Sequence, residues 1–116
     1  MWSTKDFKLL DDLYATDCIL HQQREGKTIT FQGLQAWRQY IEEFYHAYPE
    51  YQEKVIEQIA EGDKVVSLIK CSALDVHWDG VVIDLIERGK IKETWAWFKR
   101  SSDELCGKKG SQTGLK

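Results

Sequence analysis

Apolar and polar positions alternate along the stretch from Gly80 to Arg100, GVVIDLIERGKIKETWAWFKR, and the rest of the chain can be placed around it. Val81 to Glu87 is β-branched or aliphatic, Lys90 to Phe98 is aromatic-rich, and Arg88-Gly89 separates them; this predicts two antiparallel strands joined by a tight turn. By period two the second strand puts Ile91, Glu93, Trp95 and Trp97 on one face and Lys92, Thr94, Ala96 and Phe98 on the other. Both faces carry apolar residues, so both must be covered: one by helices, the other by a second sheet or a second subunit.

Upstream, Ser3 or Thr4 can cap a helix from about Lys5 to Tyr14, with Phe7, Leu10, Leu13 and Tyr14 as its buried face. Cys18 to His21 and Lys27 to Phe31 read as a second hairpin across a polar loop, Gln22 to Gly26. Leu34, Trp37, Ile41, Phe44 and Tyr48 fall on one stripe of a long helix that Pro49 ends. Tyr51 to Ala60 and Val65 to Leu74 follow as strands about the turn Glu61-Gly62-Asp63, and Asp75 to Gly80 connects into the first-named hairpin. Ser101 to Lys116 turns to Ser, Gly, Lys, Asp and Thr and reads as a flexible tail, leaving one domain over residues 1–100.

Composition narrows the function classes. At 116 residues, with 30% charged and 42% hydrophobic positions, the chain can bury one core without a metal or disulfides. A net charge of −3 without a basic run excludes a nucleic-acid groove. No apolar run approaches the ~18 residues that would span a bilayer, and no basic-then-apolar leader opens the chain, so no membrane contact and a cytoplasmic location are expected. Cys18, Cys71 and Cys106 lack CxxC spacing and read as reduced thiols. Without GxGxxG, P-loop or HExxH patterns, neither a cofactor nor a metal is expected.

LYATDCILH (Leu13 to His21), FQG (Phe31 to Gly33), FYHAYPEY (Phe44 to Tyr51), AEGDKVV (Ala60 to Val66) and GKIKETWAWF (Gly89 to Phe98) follow in an order and spacing that resembles the SnoaL-like polyketide cyclase family, within the nuclear transport factor two-like superfamily. The resemblance implies an α+β fold: a curved antiparallel sheet wrapped around helices into a cone that binds a hydrophobic small molecule, often as a homodimer. It also exposes departures. The Asp that follows the last-strand Trp in the cyclases is Ala96 here, and their His seven places before the GKI glycine is Val82. The general base of the related ketosteroid isomerases, just after the position of His21, is Gln22, which takes no proton at neutral pH. The long first helix of relatives, which carries the isomerase hydroxyl donor and lies across the open cone, has no counterpart before Lys5. The exposed apolar surface would then be covered by Trp2, the tail, a partner chain or an upstream segment beyond this start.

Candidate chemistry comes from what remains. Asp84 shares the parity of Val82 and Ile86, the face the resemblance turns toward the cavity, and apolar surroundings would raise its pKa and make it an acid; the alternative is a strand-edge position or a pair with Lys92. His21 would be the base across the cavity, or else structural or solvent-facing, and His77 would stand near the mouth. His46 reads as surface. Trp37, Phe44, Tyr48 and Phe98 line the pocket or belong to the core, and Val82, Thr94 and Ala96 share the cavity face. Trp95 and Trp97 point outside the cone and predict a dimer interface. Three functions follow: a cofactor-independent isomerase, cyclase or hydratase working by acid-base catalysis, a non-catalytic ligand-binding protein, or a dimerisation or adaptor module.

Overall fold

The computed structural model describes residues 8–24 and 26–101. Two helices, α1 (Leu9–Leu13) and α2 (Leu34–Ala47), accompany six strands: β1 (Tyr14–Arg24), β2 (Lys27–Gln32), β3 (Gln52–Glu61), β4 (Lys64–Ala73), β5 (Val76–Glu87) and β6 (Lys90–Arg100). The strands form one curled sheet in the order β2-β1-β6-β5-β4-β3, the α+β cone expected. One expectation is corrected: the sheet is not wholly antiparallel, because β1 and β6 run parallel. Hairpin-connected neighbours have to be antiparallel, whereas β1 and β6 are joined through most of the chain and no tight turn sets their sense.

The organising hairpin forms as its residues dictate. Glu87 pairs with Lys90, and the two residues between them, Arg88 (φ 56°) and Gly89 (φ 79°), are both left-handed, the geometry whose twist matches the strands it joins.

Three boundaries differ from the sequence reading. Of the first helix, only Leu9–Leu13 is helical among the described residues, and Phe7 lies outside them. Tyr14 is already extended (φ −113°, ψ 142°) and pairs with Ile91, so Leu13, expected inside, is exposed. The loop expected over Gln22 to Gly26 is mostly strand, since β1 continues to Arg24 with Gln22 and Arg24 turned inward. The connection expected over Asp75 to Gly80 shrinks to a turn at Leu74-Asp75, and β5 starts at Val76. Polar residues on an inward face, Gln22 and Arg24, look like loop in a sequence, whereas in the second case the outward His77 and Asp79 followed by Gly80 gave the loop-like composition.

On the concave side α2 packs against β1, β2 and α1. Its stripe of Trp37, Ile41 and Tyr45 meets Leu10, Cys18, Tyr51, Cys71 and Trp78 in the core. Ile41 and Leu10 are fully buried, and side chains of that size each stabilise by about 1.5–3 kcal/mol. No helix among the described residues is long and apolar enough to cross a membrane. Ser101 is buried, its N–H donating to the His77 carbonyl at 2.7 Å; Trp2 and the tail beyond Ser101 lie outside the described residues.

Candidate functional site

Strand pairing sorts the concave face into rows. Leu20, Thr94, Asp84 and Val65 lie side by side across β1, β6, β5 and β4; the next row is Gln22, Ala96, Val82 and Ser67; then come Arg24, Phe98, Gly80 and Ile69. Trp78, Cys71 and Glu53 make a fourth row across β5, β4 and β3. Between this face, Tyr14 and the Trp37 side of α2 lies an open cavity of about 160 Å³. Its apolar wall includes Leu20, Trp37, Ile69, Val82 and Phe98, and its polar groups include Asp84, Thr94, Glu53, Arg24 and Gln22.

The middle row holds the positions where the cyclase and isomerase residues are replaced. Gln22, Ala96 and Val82 are direct neighbours, so the departures noted one by one in the sequence are a single local change. Gln22 is buried and its Nε2 donates to the Tyr40 hydroxyl at 2.9 Å, a structural use of a side chain that carries no proton chemistry. Titratable groups persist on either side of this row.

On one side, Thr94 Oγ1 donates to Asp84 Oδ1 at 2.7 Å. Burial raises the Asp84 pKa, and the Thr94 hydrogen bond, which favours the charged form, opposes it only in part. Asp84 therefore pairs with Thr94 and not with Lys92, which bonds Asp17 instead. The Tyr14 hydroxyl is pushed up by burial first and then by the charge of Asp84, with Glu53 adding in the same direction, so it stays a protonated hydrogen-bond donor within the field of both carboxyls.

On the other side, burial pushes Glu53 from 4.5 up to about 7, against the opposing hydrogen bond from the Tyr51 hydroxyl (3.0 Å to Oε2) and the charge of Arg24. The Arg24 guanidinium sits among three rings, its Cζ lying 4.2 Å from the Phe98 centroid, 5.0 Å from Trp78 and 5.3 Å from Phe44. Gly80 makes this cage possible: a Cβ there would stand 2.8 Å from the Phe98 ring, so only glycine lets the ring lie over β5.

The other sequence candidates divide by strand parity. Thr94, Ala96, Val82, Phe98 and Trp37 line the cavity with Asp84. His21 borders the cavity between the inward residues Leu20 and Gln22, but its imidazole turns away from Asp84, stacking on Trp95 (centroids 5.8 Å) with Nε2 2.7 Å from Glu93 Oε2. His77 is exposed on the convex side of β5, since the neighbouring Trp78 points inward; it is not in the cavity. Phe44 and Tyr48 sit behind the cavity wall, Phe44 under Arg24 and Tyr48 half-exposed against Phe44 and Trp78. His46 is exposed. Trp95 and Trp97 are on the convex face, with Trp97 43% exposed.

Sequence reasoning missed Glu53, Arg24 and Tyr14. The loosely alternating β3 gave no sign that Glu53 faced inward, Arg24 was assigned to a loop, and Tyr14 to a helix. The available signal was period two carried on from Leu20 through Gln22 to Arg24. Among the described residues, no three His, Cys, Asp or Glu side chains cluster as metal ligands do.

The family model for SnoaL-like polyketide cyclases matches residues 1–102. Among solved structures, a loop-truncation variant of IdmH superposes with a TM-score of 0.72 at 17% identity, covering 84% of this chain and 83% of that one. A Sinorhizobium meliloti protein provisionally described as a polyketide cyclase gives 0.71 at 22% identity, covering 82% and 84%. A Kribbella flavida protein provisionally described as a ketosteroid isomerase gives 0.67 at 18%, covering 84% and 68%. These likenesses establish the shared fold. No curated protein matches the chain in sequence.

Proposed function

We propose that this chain, which belongs to the SnoaL-like polyketide cyclase family, is a cofactor-independent enzyme that moves a proton on a small carbonyl compound held in the concave cavity. Glu53 is the base, Tyr14 donates a hydrogen bond to the carbonyl oxygen as it gains charge, and Asp84 is the acid. The observation that carries this reading is that one mostly apolar cavity holds two carboxyl groups, both raised by burial, with a neutral hydroxyl that feels both. A base with a pKa near 7 is partly ionised at neutral pH and is matched to abstraction of a proton beside a carbonyl. The cavity volume suits a one-ring compound, since a dry cavity of about 150 Å³ accommodates benzene.

The test is deuterium wash-in beside the carbonyl of small cyclic ketones, followed by NMR in D2O. Exchange faster than in buffer, and lost in Glu53→Gln, supports the reading. Binding without exchange would transfer the protein to the ligand-binding alternative, and exchange unaffected by either carboxyl substitution would remove the site.

The homodimer belongs to the same proposal. Support comes from the convex face, where Trp97, Val81 and Leu68 form one row and Trp95, Ile83, Val66 and Ile59 another, with Trp97, Leu68 and Ile59 all at least 39% exposed. A second copy covering these rows would remove the liability of such a patch. Trp97→Glu should dissociate the dimer in light scattering, and a monomeric wild type at high concentration would refute it. A cytoplasmic location is also proposed, supported by the unpaired buried thiols of Cys18 and Cys71.

A further inference from the structure

We infer that the Arg24 end of the cavity is an anion subsite and that the ligand is a keto acid: its carboxylate sits on the Arg24 guanidinium and its carbonyl reaches toward Tyr14 and Asp84. This rests on the proposed function for the reacting end of the ligand, while its own test is equilibrium binding.

Arg24 brings a permanent charge into the cavity wall. Arginine stays protonated at any ordinary pH. Among the described residues, Arg24 forms no ion pair, and its Nε and Nη1 are buried without a hydrogen-bond acceptor. Ring faces at 4.2 to 5.3 Å offset part of the desolvation but accept no full hydrogen bond. For packing alone, an apolar side chain would do better in this position, because a half-buried charge whose Nε and Nη1 have lost water without gaining an acceptor costs more than it returns. The nearby carboxyl offsets it only in part, since burial leaves Glu53 about half protonated at pH 7 and no ion pair forms between them. The cage also fixes the group in place: Phe98 is locked over Gly80, and Phe44 is braced edge-on against Tyr51 with centroids 4.8 Å apart.

The class of anion follows from size and charge. One guanidinium in a cavity of about 160 Å³, faced by two ionisable carboxyls, suits a monoanion better than a phosphate. Arg24 lies in the Phe98 row, two rows from the Thr94–Asp84 row, and Glu53 joins the wall at the Arg24 end, so the abstracted proton lies between the carboxylate and the carbonyl oxygen. A 4-oxo acid on a single ring meets these conditions.

The experiment compares 3-oxocyclohexanecarboxylate with its methyl ester by calorimetric titration at pH 7. The wild type is expected to bind the acid about tenfold to a hundredfold more tightly than the ester, the range for a hydrogen bond to a charged group. Arg24→Met should abolish that preference and Arg24→Lys keep part of it. Equal affinities in the wild type, a preference for the ester, binding of neither compound, or a preference unchanged in Arg24→Met would each overturn the inference. The wild-type comparison stands even if a variant fails to fold. Failure of the enzymatic reading leaves the acid preference intact without exchange, whereas failure of this inference leaves exchange on neutral ketones.

Discussion

Replacing Glu53 with Gln should change how stability depends on pH more than it changes stability itself. The carboxyl rises from 4.5 in the free side chain to about 7 in the fold, with burial the main cause. The folded protein therefore holds its proton more tightly than the unfolded chain, so between about pH 4.5 and 7 the native state binds more protons and stability falls as pH rises. The shift corresponds to about 3 kcal/mol, fully lost above pH 7. Gln keeps the shape and the Tyr51 hydrogen bond without the charge. Urea denaturation at pH 5, 6, 7 and 8 would follow the difference between wild type and Glu53→Gln, which isolates this one group from the other carboxyls. The difference should move by about 2.5 kcal/mol in favour of the variant from pH 5 to 8, most of the full shift. A difference constant across that range would mean that Glu53 titrates normally, and the base assigned here would go with it.

Gly80→Ala should cost about 1–3 kcal/mol, as overpacking does, and weaken keto-acid binding because the Phe98 ring must leave Arg24; an unchanged denaturation midpoint would refute the close approach at Gly80. His21→Ala should leave deuterium exchange essentially unchanged, since its ring is committed to Glu93 and Trp95 on the convex face, and a large loss of rate would return His21 to the site. Cys71, whose thiol burial pushes up to about 11, should resist alkylation in the native protein and react only on unfolding, as native-state labelling with iodoacetamide would reveal.

What could be read from the sequence follows a physical line. The 3.6-residue stripe of α2 and the period-two β5–β6 hairpin are set by one buried face each, and both were legible with only their ends in error. The chemistry was less legible because cavity residues violate the inside-apolar pattern. Gln22 and Arg24 continue an inward strand face in polar residues, and from the sequence they resemble a loop. Asp84 was found because it sits among Val82, Ile83 and Ile86, where a carboxylate contrasts with its neighbours. Glu53 stands in a strand that is exposed along most of its length, and what sets it apart is its place opposite Cys71 on the inward face, with the Tyr51 hydroxyl bonded to it. His21 shows the opposite failure: a one-residue parity decides between cavity and convex face, and the family position alone did not supply it.

The role of Glu53 as the base is decided by the pH profile of deuterium exchange beside the carbonyl of 3-oxocyclohexanecarboxylate, in wild type, Asp84→Asn and Glu53→Gln. The wild-type rate should rise through about pH 7 as Glu53 ionises, with the same rising limb at lower amplitude in Asp84→Asn and a loss of about 10² to 10⁴ with no such limb in Glu53→Gln. Exchange no faster than in buffer, or a wild-type limb that survives Glu53→Gln, would contradict that role.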